Sequence, residues 1–197
     1  MAAAALRAGE VIVVPTDTVY GLAAMPDNAG AVDGVYRAKG RPPDLHLPVL
    51  AASIEQVRQL GVEMTFAACA LAAVWWPGPL TIVFSFVAGS RRPDWLDGRT
   101  EVAVRIPDEP FLLDLMRKTG PLVVTSANQH GQITAPSAFA AASQLACPVG
   151  LAIDGGACNG APSTLVNVSA PELVIERTGP IDAEAIASTL QSAAEDQ

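Results

Sequence analysis

The stretch Val11 to Arg41 reads VIVVPTDTVYGLAAMPDNAGAVDGVYRAKGR, and its parsing decides the fold. Val11 to Val14 are consecutive β-branched residues, the length of a short buried strand. Pro15 ends the ladder because it has no N–H to donate. Thr16, Asp17 and Thr18 follow at once, then Tyr20 and Gly21. Open α/β sheets place ligands at such strand ends. Asp27 or Asn28 can cap a helix in which Ala29, Val32, Val35 and Tyr36 recur at helical spacing. Lys39-Gly40-Arg41-Pro42-Pro43 ends that helix, and the prolines predict a stiff, extended exit with both cations on one side. On physics alone, this unit is a site for an anionic small molecule, most simply a phosphate-bearing one.

Composition narrows the classes. Of 197 residues, half are apolar and 16% are charged, which fits a folded chain with a substantial core. Twenty carboxylates against 12 Lys and Arg make it acidic, which argues against gripping a nucleic acid duplex over a whole face. A local pocket of Lys39, Arg41, Arg91, Arg92, Arg105 and Arg177 stays open, and would suit a nucleotide. Cys69, Cys147 and Cys158 are widely spaced without a C-x-x-C, so they read as plain thiols of a reducing cytoplasm. The N-terminus lacks the order of a signal peptide, and the longest apolar run, Phe66 to Trp76, is too short for a membrane span. The expected location is cytoplasmic.

Along the chain, helices are expected at Ala2–Arg7, after Ser53, after Thr65 to Trp76, at Phe111–Arg117, after Ser137 to Ala146, and from Asp182. Strands are expected at Leu47–Ala51, Leu80–Val87, Glu101–Ile106, Pro121–Thr125, Val149–Ile153, Thr164–Val168 and Leu173–Glu176. Gly89 to Thr100 and the glycine-rich 154–163 segment read as loops. Irregular alternation without a repeat or linker predicts one α/β domain over 1–197, built on a twisted mixed sheet with flanking helices.

Polar residues cluster at three strand ends: Thr16 to Thr18, Arg105, and Ser126 to Asn128. One such cluster is ordinary turn chemistry; three, with KGR and a glycine-rich loop, point to a ligand cavity. Asp17 reads first as a cap of its own turn. Ser163 is either a turn hydroxyl or a donor to a carboxylate. Ser126 and His130 lie in TSANQH rather than G-x-S-x-G, which argues against a serine hydrolase. His46 and His130 read as exposed loop residues.

PTDTVYGL (15–22), KGRP (39–42), PGPLTIV (77–83), VAVRIP (102–107), TSAN (125–128), IDGG (153–156) with PST (162–164), and ERTG (176–179) occur in one order along the chain. This ordered set resembles the YrdC/TsaC family, the threonylcarbamoyl-AMP synthases, over nearly the whole sequence. The resemblance implies a single α/β domain around a cationic cavity. It also implies a nucleotidyltransferase that joins L-threonine, bicarbonate and ATP, with Mg²⁺, into threonylcarbamoyl-AMP and pyrophosphate. The product would pass to a TsaD-type tRNA-modifying complex that forms t6A37. Carried onto matching positions, Thr18, Arg105, Ser126 and Ser163 are expected at the threonine or carbamate. Arg41, Asn128, Ser137 and Arg177 are expected at ATP, with Lys39 and Arg41 as the catalytic cations. No metal ligands are assigned.

The chain departs from the family pattern after KGRP. Leu45 and Leu50 stand where many members carry a polar residue and a histidine. His46 is displaced, which bears on threonine recognition more than on adenylation. The C-terminal domain of longer relatives is not expected. Two other functions stay open: a paralogue adenylating another small carbamate or acid, and a non-catalytic RNA-binding module.

Overall fold

The computed structural model describes residues 1–170 and 172–195. The expectation of one domain over 1–197 therefore extends to residues outside that description. Helices α1 (Ala2–Arg7), α2 (Ala29–Lys39), α3 (Ile54–Arg58), α4 (Phe66–Trp75), α5 (Pro110–Thr119), α6 (Ala138–Ser143) and α7 (Ala183–Glu195) flank one sheet. Its strands are β1 (Ile12–Val14), β2 (Gly21–Ala24), β3 (Val49–Leu50), β4 (Leu80–Ser85), β5 (Glu101–Arg105), β6 (Leu122–Ser126), β7 (Leu151–Ala152), β8 (Thr164–Asn167) and β9 (Val174–Arg177). They lie in the order β7-β1-β2-β6-β3-β5-β4-β8-β9. The β1–β7, β3–β5 and β4–β8 pairs are parallel and the rest antiparallel, so the sheet is mixed.

Side chains alternate across a strand, so successive residues report opposite faces. Val13 packs with Ala31, Val35 and Ala38 of α2 and with Ala138 and Ala141 of α6. Val49, Ile82, Phe84, Val104 and Val166 continue that face and pack on α3, α4 and α7. Ile12, Val14, Leu50, Leu122 and Val124 point the other way, onto α1 and α5. Beyond the reach of α1 and α5, the same second face carries Thr81, Ala103, Arg105 and Leu165, by register with Val83, Leu50 and one another. A cavity opens there.

Local signals behave as the chemistry requires at most ends. Asn28, Ser53, Thr65 and Ser137 each accept a hydrogen bond from a backbone N–H three residues on, closing the first turn of their helices. Three readings are corrected, and one strand is added. Gly21–Ala24 is a central strand, paired on both sides, that its glycine and alanines did not announce. The helix after Ser137 stops at Ser143, and Arg177 lies inside β9 rather than past it. Finally, Lys39 is the last residue of α2, not part of an extended exit, and Gly40 closes the helix at φ 61°.

Candidate active site

The cavity has a volume of about 230 Å³ and gathers residues from strands β2, β3, β4, β5, β6, β8 and β9 and from the loops that precede β2, β3 and β8. Thr18, Arg41, Arg105, Ser126, Ser163 and Arg177 all line it, so six of the sequence-predicted residues converge. Lys39, Asn128 and Ser137 do not line it. Arg91 and Arg92 lie elsewhere, in a larger groove of about 910 Å³ beside Trp95, Arg99 and the start of α2. That groove holds none of the expected ligand residues.

Arg105 is the most deeply buried of the three arginines that line the cavity. Its Nε donates to Gly78 O at 2.9 Å, Nη1 to Thr18 Oγ1 at 2.9 Å, and Nη2 to Asp17 Oδ1 at 2.5 Å. Asp17 therefore does not cap its own turn, as first read. Thr16 does, accepting from the Thr18 N–H at 3.1 Å. A guanidinium has five N–H donors, so two remain after these three bonds. Burial holds the Arg105 pKa below its usual range, opposed by the Asp17 carboxylate.

Hydroxyl bookkeeping fixes what Thr18 offers. The Thr16 hydroxyl donates to Val19 O at 2.7 Å, so the 3.0 Å Thr16–Thr18 contact uses the Thr18 proton. Thr18 Oγ1 also accepts from Arg105. One lone pair is left, which suits a ligand N–H or O–H.

Arg177 donates through Nε to Ser163 O at 2.9 Å and through Nη2 to Ser163 Oγ at 3.2 Å, while Ser163 Oγ and Thr81 Oγ1 lie 2.7 Å apart. Within the protein, Ser163 thus meets an arginine and a threonine. Arg41 donates through Nε to Leu45 O at 3.0 Å and through Nη2 to His46 O at 3.2 Å, holding the segment after α2 by its backbone. Burial, then Arg105 and Arg41, lowers the Arg177 pKa, the mark of three guanidiniums sharing one space. Among the described residues, neither Arg41 nor Arg177 has a carboxylate within 4.0 Å. Inside an acidic protein the cavity is locally cationic.

The remaining candidates are spent on the protein itself. Lys39 is 3% exposed, and its ammonium sits 2.7–3.1 Å from Ser126 O, Ser126 Oγ, Asn128 O and Asn128 Oδ1. Burial, then Arg41, pushes its pKa down to about 8. The Asn128 amide donates to Gln129 O and Gln132 O, and its Oδ1 also accepts from Thr134. Ser137 Oγ caps α6.

Thr81 and the anchoring role of Tyr20 escaped the sequence reading. Thr81 is a buried hydroxyl inside the apolar run of β4; β alternation against Leu80 and Ile82 was the available signal. Tyr20 is fully buried, and its hydroxyl donates to Gly156 O at 2.7 Å and accepts from the Gly155 N–H at 3.1 Å, anchoring the glycine-rich loop. Leu50 lines the cavity as the register partner of Arg105, and the exposed His46 joins it at the mouth. Leu45 is exposed and does not line it. Among the described residues, no group of three His, Cys, Asp or Glu could hold a metal, and no helix is long and apolar enough to cross a membrane.

Known proteins share both the sequence and the fold. The Sua5/YciO/YrdC family model, described as "Telomere recombination", matches residues 4–179. The threonylcarbamoyl-AMP synthase of Bacillus subtilis is 37% identical over 191 residues, which are 96% of this chain and 55% of that protein. A Mycobacterium tuberculosis relative is 36% identical over 190 residues, 96% of this chain and 87% of its own. The crystal structure of Pyrococcus abyssi Sua5 complexed with L-threonine superposes with a TM-score of 0.86 at 34% identity, covering 95% of this chain and 56% of that one. Escherichia coli YciO, at 23% identity and a TM-score of 0.82, shares the fold. The chain thus spans about half the length of its Bacillus and Pyrococcus relatives. With the family model matched over most of its length, the chain belongs to the Sua5/YciO/YrdC family.

Proposed function

We propose that this protein is an L-threonylcarbamoyladenylate synthase, a nucleotidyltransferase acting on L-threonine, bicarbonate and ATP. One observation carries the reading: Arg41, Arg105 and Arg177 face a single hydroxyl-lined cavity, with Asp17 as their one close carboxylate among the described residues. A ligand with several negative charges balances them. The names of the Bacillus and Pyrococcus relatives, and the threonine in the Pyrococcus structure, support the choice of substrate.

In this reading the two free Arg105 donors take the threonine carboxylate, and the Thr18 lone pair accepts from the substrate. Ser126 and Ser163 fix the carbamate end. Arg41 and Arg177 hold the phosphates, with Asn128 and Ser137 acting through the loop and helix turn they support. Threonine's amine first forms an N–C bond to the carbon of bicarbonate with loss of water, giving a carbamate. A carbamate oxygen then forms a bond to the α-phosphorus as the bond to pyrophosphate breaks, and the charge accumulating there meets preplaced guanidiniums. The nucleophile belongs to the substrate, so no protein nucleophile is required. The cavity residues do not form a protein metal site. Mg²⁺ is assigned only to the nucleotide, as its phosphate counter-ion.

We further assign the reaction to the cytoplasm, with the product consumed by a TsaD-type tRNA-modifying complex. Leu50 beside Arg105 favours one variant of this reading, in which the same chemistry acts on a less polar amino acid. Omitting ATP, threonine and bicarbonate in turn while following pyrophosphate release tests the main reading. Release that needs all three supports it; release with another amino acid in preference to threonine supports the variant; no release rejects both.

A further inference from the structure

Lys39 is a buried cation with no carboxylate within 4.0 Å among the described residues. An ammonium has three N–H donors, and here four oxygens compete for them, all from Ser126 and Asn128. The contact is returned through the backbone: the His130 N–H donates to Lys39 O, and the Ala146 N–H to Ala38 O, each at 2.8 Å. The end of α2 is therefore fastened to the exit of β6 and to the loop that follows. Asn128 extends the fastening, since its amide and Oδ1 bind Gln129, Gln132 and Thr134. Two cavity residues depend on this joint. Arg41 follows Lys39 by two positions, across the left-handed Gly40, and Ser126 supplies half of the oxygens around the ammonium.

We propose that Lys39 is a positioning residue, fixing Arg41 and Ser126 relative to each other across the cavity, rather than a ligand of the nucleotide. A phosphate ligand must have donors to give when phosphate arrives; the Lys39 donors are already directed at protein oxygens in the free protein. The donors are still needed, because an apolar side chain would leave buried carbonyls of Ser126 and Asn128 unpaired. The functional half of this inference rests on the adenylating reading above.

The chain contains two lysines, Lys39 and Lys118, which makes a direct experiment simple. Protein labelled with ¹⁵N-lysine gives two side-chain signals, and Lys118→Arg assigns them. The expected result in the free protein is one ammonium protected from water exchange, Lys39, and one exchanging freely, Lys118. If both exchange freely and Lys39 becomes protected only when Mg-ATP is added, Lys39 is a phosphate ligand and the proposal is overturned. A second arm uses Lys39→Met. Without any ligand, its amides over residues 127–134 should exchange at least tenfold faster than wild type; unchanged exchange contradicts the proposal. Its kcat/KM for pyrophosphate release should fall on the order of 100-fold, while Lys118→Met stays at the wild-type value. Wild-type activity in Lys39→Met contradicts the positioning role, whereas an inactive wild-type protein contradicts only the adenylating reading.

Discussion

The carboxylate of Asp17 lies 2.5 Å from Nη2 of Arg105, with both side chains almost fully buried. Among the described residues, Asp17 is the one carboxylate paired with an arginine of the cavity. It fixes one edge of the guanidinium and leaves two donors for a ligand.

Asp17→Asn keeps the shape and removes the charge. Breaking a buried pair by neutralising one partner costs about 3 kcal/mol, and more arginine charge is then left uncompensated. The expected outcome is a melting temperature lower by roughly 10 °C, with threonine KM raised far more than ATP KM. Calorimetry and steady-state kinetics measure the two halves; equal changes in both KM values would detach Asp17 from the threonine end.

Arg177→Ala removes a guanidinium that, among the described residues, has uncommitted Nη1 donors and no carboxylate partner. A charged hydrogen bond to an anion is worth about 2–3 kcal/mol, so ATP affinity should fall roughly 30- to 100-fold in titration calorimetry. Threonine affinity should stay within about threefold of wild type. A loss confined to threonine would exchange the two ends of the cavity.

Gly160 packs against the backbone of Thr18, where an added Cβ would stand 2.7 Å from Thr18 O. The Gly160 N–H also donates to that oxygen at 3.1 Å. Gly160→Ala should push the glycine-rich loop off Thr18, costing about 2 kcal/mol and raising threonine KM about tenfold. Chemical denaturation and initial rates test this pair of effects; a neutral substitution would mean that the loop does not set the position of Thr18.

Lys39 gives stability and activity opposite pH dependence. Its ammonium titrates at about 8 in the fold, against 10.5 for an ordinary lysine, because burial and Arg41 disfavour the charge. Between those values the unfolded chain holds the extra proton. This residue's contribution to stability is therefore constant below pH 8 and rises through the window to about 10.5, by about 3 kcal/mol in all. Activity moves the other way, since deprotonation takes a donor from a cradle of four oxygens. The stability difference between wild type and Lys39→Met, measured by denaturation across this range, should rise with pH while wild-type kcat/KM falls. A difference that declines with pH would contradict the assignment.

Much of this site was legible in the sequence, for identifiable reasons. Arg105, Ser126 and Thr18 sit at strand ends whose strands were apolar and bounded by proline or small polar residues, so their convergence followed from sheet architecture. Asn28 and Ser137 announced their helices by cap chemistry. What failed depends on partners distant in the chain. Asp17 looks like a turn residue until Arg105 arrives from 88 positions away. Lys39 and Arg41 look like one cationic pair, yet the helix ends between them and sends one inward and one to the cavity. Gly21–Ala24 has weak intrinsic strand preference, and its pairing with β1 and β6 overrides that.

The most direct test of the central claim follows one carbon atom. Purified protein is incubated with ATP, Mg²⁺, L-threonine and ¹³C-bicarbonate, and the nucleotide products are separated and weighed by mass spectrometry. The expected product is a threonine–AMP adduct carrying the label in the carbonyl that joins the two parts, formed in step with pyrophosphate. Pyrophosphate release with an unlabelled adduct, or an adduct lacking threonine, would contradict it.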